Sequence, residues 1–253
     1  MKITVLGSGT STGVPMVGCR CPVCSSEDPR DKRTRASIVV EAEGKYILVD
    51  TSTDLRRQVI REGIPHIDAV LFTHSHADHV HGIDDLRGFH FIHKRMIPCY
   101  GERETMDVIS KSFSYIFKGL VSAGYAPLME LHLVTGPFTL FGIEIVPVPL
   151  LHGTMPSTGY RFGDVAYLTD LSQIPEDSKR LLEGLEILFI DALRYTPHPN
   201  HLNIAGALGV VGELKPKRAI FTHLTHEVPY ADGAKLPPNV EFAYDGLVIE
   251  SSQ

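Results

Sequence analysis

Six times along the 253-residue chain an apolar run stops at an aspartate or a histidine. Asp50 follows Tyr46 to Val49, His74 follows Val70 to Phe72, and His152 follows Val146 to Leu151. Asp170 follows Tyr167-Leu168, Asp191 follows Ile187 to Ile190, and His223 follows Ile220-Phe221. Short runs rich in β-branched and aromatic residues read as buried strands. Any one of these polar residues is an ordinary loop group at a strand exit. Their shared position predicts sheets whose strand ends converge on one edge, the usual place for a site in layered α/β proteins. The candidate ligands run from residue 74 to residue 226, and no linker, low-complexity tract or fixed-period repeat interrupts them. One domain spanning 1–253 is therefore expected.

The densest stretch is His74-Ser75-His76-Ala77-Asp78-His79. Chance would place two of the chain's 13 histidines side by side, but three with an aspartate in six positions is a metal-ligand pattern. Side chains alternate along an extended segment, so His74 and His76 point at one ion, while Asp78 and His79, past the bend, turn toward a neighbouring one. The spacing suits two metals better than one. A second cluster, Cys19-Arg20-Cys21-Pro22-Val23-Cys24, holds three of the four cysteines. Thiolates this close, in a chain too large to need disulfide stapling, fit zinc better than bridges. Cys99 reads as a buried strand residue.

The net charge of -6 argues against gripping a phosphate backbone and suits a small substrate, so nucleic acid is not an expected partner. Met1 to Gly7 is too short for a signal-peptide core and no 18-residue apolar run occurs, which predicts a soluble, cytoplasmic protein with no membrane partner. Further strands are expected at Ile3–Leu6, Ser37–Glu41, Ile97–Tyr100, Ile143–Val148, Gly159–Phe162, Val165–Leu168 and Leu247–Glu250. Helices are expected at about 53–62, 102–117, 176–184 and 203–214, from capping residues and apolar spacing.

The His-x-His-x-Asp-His run at 74–79, the lone His152, Asp170 and His223 in that order resemble the metallo-β-lactamase superfamily over most of the chain. The resemblance implies an α/β (α+β) fold, an αββα sandwich of two mixed β-sheets packed face to face with helices outside. It also implies a dinuclear centre of two divalent ions, Zn or Mn. His74, His76 and His152 would hold one ion and Asp78, His79 and His223 the other, with Asp170 bridging and Asp78 also catalytic. Asp50 and Asp191 would orient ligand imidazoles from behind. Within the superfamily, the Leu6-Gly7-Ser8-Gly9-Thr10-Ser11-Thr12-Gly13-Val14-Pro15 loop, the cysteine cluster and Thr222-His223-Leu224-Thr225-His226 are similar to one branch. It comprises the phosphoribosyl 1,2-cyclic phosphate phosphodiesterases of the carbon-phosphorus lyase pathway and, further off, tRNA 3′-processing endonucleases. His226 would complete a closed Cys3His set with Cys19, Cys21 and Cys24, a structural zinc that staples the N-terminal loop to the C-terminal region.

His201, in His198-Pro199-Asn200-His201-Leu202-Asn203, resembles that branch's catalytic histidine. Taken by itself it is a surface residue at a helix start; by the resemblance it protonates the departing alkoxide or holds a phosphate oxygen. His198, His66, His81, His90, His93 and His132 read as bystanders. The implied reaction is hydrolysis of a small phosphodiester by water activated between two ions. Its rivals are tRNA 3′-end cleavage, a non-catalytic carrier of the kind found in pyrroloquinoline quinone biosynthesis and, more weakly, thioester or lactam hydrolysis. Ser8, Thr10, Arg87 and Arg161 are candidate substrate contacts, each with a structural role as the plainer reading. The chain departs from the phosphodiesterase pattern at Asp84-Asp85-Leu86-Arg87 and across about 103–135, where Tyr115, Phe117 and Tyr125 are expected to cover the cleft. A homodimer is an assembly the reading allows.

Overall fold

The computed structural model describes residues 1–118 and 128–251. Two seven-stranded sheets stack face to face. The first contains β1 (Lys2–Gly7), β2 (Ser37–Ala42), β3 (Lys45–Val49), β4 (Ala69–Leu71), β5 (Ile97–Gly101), β6 (Met129–Leu133) and β14 (Val248–Glu250), in the order β14-β1-β2-β3-β4-β5-β6. The second contains β7 (Phe138–Leu140), β8 (Ile143–His152), β9 (Met155–Phe162), β10 (Val165–Leu168), β11 (Ile187–Asp191), β12 (Arg218–Thr222) and β13 (Val240–Phe242), in the order β13-β12-β11-β10-β9-β8-β7. Both sheets are mixed. β3 through β6 run parallel, as do β10 through β13, and the remaining pairs are antiparallel.

Alternation along the strands builds three apolar layers, because successive side chains leave a strand on opposite faces. Val5, Ile38, Val40, Ile47, Val49 and Leu71 meet Ile145, Tyr160, Phe162, Tyr167, Phe189 and Ile220 between the sheets. Leu6, Val39, Leu48, Val70 and Cys99 turn outward from the first sheet. There they pack on α1 (Leu55–Arg61), α2 (Ala77–Val80), α4 (Arg103–Ser112) and α5 (Ser114–Lys118) through Leu55, Val80, Met106, Ile109 and Ile116. Ala166, Leu168, Leu188, Ile190, Ala219 and Phe221 turn outward from the second, under α7 (Ile204–Leu214) and the turn after α6 (Glu176–Arg180) through Ala207, Val211 and Leu182. Strands covered on both faces carry continuous apolar runs, which is why Val165-Ala166-Tyr167-Leu168 shows no alternation in its sequence. The expected αββα sandwich is the observed architecture.

Several boundaries differ from the sequence reading. The helix expected over 102–117 breaks at Phe113 into α4 and α5, and α6 stops at Arg180 rather than near 184. Short β6, β7, β13, α2 and α3 (Arg87–His93) were not expected, being too brief for a periodic signal. His152 and Asp191 are the last residues of their strands rather than the first beyond them. Of the aromatic residues expected over the cleft, Phe117 packs against the helical layer and Tyr115 donates to Asp84 at 3.0 Å, while Tyr125 lies outside the described residues.

Asp245 ties the N-terminal loop to both sheets. Its carboxylate accepts from the Ser8 amide (3.0 Å) and hydroxyl (2.9 Å), from the Thr34 amide (2.9 Å) and hydroxyl (2.6 Å), and from Arg61 Nη1 (3.0 Å). The anchored loop then pairs with the segment after β12, Leu224 N–H donating to Ser8 O at 2.9 Å. Replacing Asp245 by Ala strands several buried donors, and the expected loss of stability is about 3 kcal/mol in urea unfolding; a change below about 0.5 kcal/mol would show that the anchor is dispensable.

Candidate metal centre

The parallel strands of each sheet end together, and the predicted polar residues stand at that edge. Asp50, Asp170 and His223, each just past its strand, occupy the left-handed backbone region with φ of 63°, 52° and 59°. Non-glycine residues enter it at a cost of about 1–3 kcal/mol, and such strain persists where the surroundings over-determine it. The abrupt exit turns all three side chains back into the strand ends.

Asp170 is the centre of the arrangement. Its Oδ2 lies 3.7 Å from His74 Nε2 and 3.9 Å from His152 Nε2, and its Oδ1 lies 3.2 Å from both His79 Nε2 and His223 Nε2. Asp78 Oδ2 lies 3.3 Å from His79 Nε2 and 4.0 Å from His223 Nε2. Two ligand sets result, each with its donor atoms within 4.8 Å of one another: His74, His76, His152 and Asp170, and Asp78, His79, Asp170 and His223. These are the groupings the sequence resemblance implied. His76 is the exposed member; His74, His79, His152, Asp170 and His223 are buried.

The rear nitrogens are tied down. His79 Nδ1 donates to Asp50 Oδ2 at 2.7 Å, and His152 Nδ1 to the Asn200 carbonyl at 2.7 Å. Thr73 Oγ1 donates to Asp50 Oδ2 at 2.8 Å and accepts from His74 Nδ1 at 2.9 Å. Imidazoles fixed this way present Nε2 forward. The Nε2 atoms of His74, His79 and His223 are buried with no hydrogen-bond partner among the described residues. Buried polar atoms are almost always satisfied, so three orphans around one carboxylate fit divalent ions in the cluster.

Charge follows the same geometry. Burial pushes the His74 and His152 imidazoles below their ordinary value. Burial also opposes charge on His223, yet the Asp170 and Asp78 carboxylates raise it to about 9. His79 goes up for the same reason, with Asp170 and Asp50 outweighing burial. Burial would raise Asp170 and Asp78, but facing imidazoles hold both below the usual carboxylate range. Asp50, wholly enclosed, is raised by its burial.

His201 lies beside both sets, its ring stacked on His223 at 4.8 Å between centroids and edge-on to His152 at 4.5 Å. Asp191 Oδ2 accepts from His201 Nδ1 at 2.7 Å and from Leu171 N–H at 3.2 Å, and its Oδ1 lies 3.9 Å from His223 Nδ1. Asp50 and Asp191 therefore stand where the resemblance placed them. Asn200 carried no sequence signal, because it acts through a main-chain carbonyl that any residue supplies. Gly153 made no signal either: at φ +64°, a Cβ there would stand 2.3 Å from Asn200 Oδ1, so glycine admits the His201 loop.

A second cluster joins distant parts of the chain. Cys19 and Cys21 Sγ lie 3.4 and 3.2 Å from His226 Nδ1, and the donor atoms of Cys19, Cys21, Cys24 and His226 fall within 4.8 Å of one another. A tetrahedral zinc with bonds of about 2.3 Å to sulfur and 2.0 Å to nitrogen has S···N edges of roughly 3.5 Å. The Cys24 amide and His226 lower the Cys21 thiol to about 6, whereas burial raises Cys24 to about 11. Cys99 is a buried β5 residue, as expected.

The proposed substrate contacts are engaged elsewhere. Ser8 bonds Asp245, and Arg161 bonds the carbonyls of Gly163, Leu181 and Glu183. Thr10 is buried, its amide donating to Leu224 O, and Arg87 pairs with Asp84 at 3.6 Å. Of the bystanders, His198 lies 5.1 Å from His201 by ring centroids, and His66 pairs with Asp68 at 3.1 Å.

A family model described as beta-lactamase superfamily domain matches residues 45–224, a span that includes both sets around Asp170. A Porphyromonas gingivalis protein named octanoyltransferase is 40% identical over 253 residues, covering 98% of this chain; the chain spans 51% of that relative's length. A crystal structure of a new diphosphatase from the PhnP family superposes with a TM-score of 0.93 at 43% identity, over 99% of this chain and 98% of the other. Zinc-bound PqqB from Methylobacterium extorquens shares the fold, with a TM-score of 0.81 at 21% identity over 99% and 100% of the two chains. The chain belongs to the metallo-β-lactamase superfamily, in its PhnP branch.

Proposed function

We propose that the protein is a dinuclear phosphodiesterase acting on a small, cyclic phosphoribosyl-type diester, with the whole chain forming one catalytic unit. The observation that carries this reading is the Asp170 carboxylate, one oxygen turned to each histidine set, with unpartnered Nε2 atoms around it. His74, His76 and His152 would hold one divalent ion and Asp78, His79 and His223 the other, Zn or Mn, with Asp170 between them. Such a pair lowers the pKa of water from 15.7 toward about 7 and offsets charge on phosphoryl oxygens.

The chain's own residues supply the rest. Asp191 fixes His201 through Nδ1, leaving Nε2 to donate a proton to the departing oxygen. Asp50 and the Asn200 carbonyl keep His79 and His152 aimed forward. Asp78, the half-buried member of the second set, adds a second carboxylate beside His79 and His223. The diphosphatase named among the relatives supports phosphorus chemistry, and the net charge of -6 weighs against a tRNA substrate. A carrier role is disfavoured by the intact ligand sets and His201. The octanoyltransferase name belongs to a protein of which this chain spans about half. Among the described residues no cysteine stands in either ligand set around Asp170 to carry an acyl group.

Protein loaded with Zn or Mn should turn over bis(p-nitrophenyl) phosphate and phosphoribosyl cyclic phosphate, and leave precursor tRNA intact. His201→Ala should lower kcat by about 10²- to 10⁴-fold with both ions retained. No phosphodiester turnover by fully loaded protein would refute the reading, and tRNA cleavage would replace it. For the Cys3His site, metal analysis of Cys21→Ser should show about one zinc lost per chain and the other two ions kept; unchanged zinc would rule out the staple.

A further inference from the structure

A cavity of about 220 Å³ lies beside the first ligand set, its walls including Ser75, Glu102, Glu104, Thr105, Met155 and Thr158. Its walls adjoin the residues of that set. Ser75 sits between His74 and His76, and Met155 is the cross-strand partner of His152. The Thr158 amide donates to the Thr73 carbonyl at 2.9 Å. Glu102 follows β5 directly, on the strand-end edge that also carries Asp50 and His74. A ligand with its phosphorus at Asp170 therefore has this space beside it on the His74 side.

The lining restricts the occupant. Hydroxyls come from Ser75, Thr105 and Thr158 and carboxylates from Glu102 and Glu104, and no lysine, arginine or histidine lines the space. A second phosphate would meet like charge there. Glu102 occupies the N-cap position of α4, yet its side chain does not cap the helix, and burial followed by Glu104 raises its carboxyl. No ion pair or hydrogen bond engages that carboxylate among the described residues. An acceptor held half out of water, beside three hydroxyls, is suited to hydroxyl donors on a neutral ligand.

We propose that this cavity takes the sugar of the diester, Glu102 accepting a hydrogen bond from a free ring hydroxyl while the phosphoryl group lies at the Asp170 centre. The proposal rests on the phosphodiesterase reading and assigns Glu102 a specificity-determining contact. A site built to bond a hydroxyl rejects the analogue that lacks it, because its buried polar groups are left unpaired.

The test uses metal-loaded protein and three substrates that release p-nitrophenol: uridine 5′-(p-nitrophenyl phosphate), its 2′,3′-dideoxy counterpart, and p-nitrophenyl phosphorylethanolamine. Wild type should prefer the diol over the dideoxy ester by about tenfold or more in kcat/KM, chiefly through KM. In Glu102→Leu of unchanged metal content that ratio should fall to within about twofold, while Glu102→Gln, which keeps an acceptor oxygen, retains part of it. Equal use of the two uridine esters by wild type, or an unaltered ratio in Glu102→Leu, overturns the proposal. Preference for the ethanolamine ester also overturns it, marking the cavity as a cation site. Turnover of bis(p-nitrophenyl) phosphate separates the two readings: activity without diol preference sinks this proposal alone, and no activity on any diester sinks both.

Discussion

One buried carboxylate, just past the end of its strand, organises the functional edge of this protein. Asp170 cannot face four imidazoles from a regular strand exit; it does so because its backbone sits at φ 52°. The strain is offset by what surrounds it. Asp191 accepts from the next amide, Leu171, and the Ser157 hydroxyl donates to the Asp170 carbonyl at 2.9 Å. Remove either support and the carboxylate loses the position that separates the two histidine sets.

The buried charge around Asp170 also explains how a site of this kind is tolerated before metal arrives. Clustered carboxylates are expensive in an apolar interior unless something positive pairs with them. Without ions the pairing is done by protons, since Asp170 and its neighbours hold His79 and His223 above their ordinary value. Metal would displace those protons, so affinity at this edge falls as acidity rises. His74, which burial drives toward the neutral form, is already in the state a ligand needs.

The ligands were legible in the sequence because strand ends announce themselves: an apolar run and then His or Asp. Asp50 and Asp191 were legible for the same reason, and the left-handed turn at Asp50 emerged only from the structure. The two-sheet sandwich came from the family resemblance rather than from periodicity, since Val165 to Leu168 shows none. What escaped notice acts through the backbone or through brevity. Asn200 contributes a carbonyl, Gly153 the lack of a side chain, and β7 and β13 span three residues each. Glu102 gave no signal, lying within the stretch expected as helix; it stands at the N-cap of α4 without capping it.

His223 and His226 lie three positions apart, yet they face different clusters, one built on residues 74–170 and the other on residues 19–24. The second histidine set and the cysteine cluster therefore each lack a donor until the same short segment has been made. During synthesis, at about 5–20 residues per second, the cysteines wait for His226 while some 200 residues emerge. Any loading of those two places would be a late event, since until then a nascent chain presents them incomplete. The arrival of one tetrapeptide then closes both.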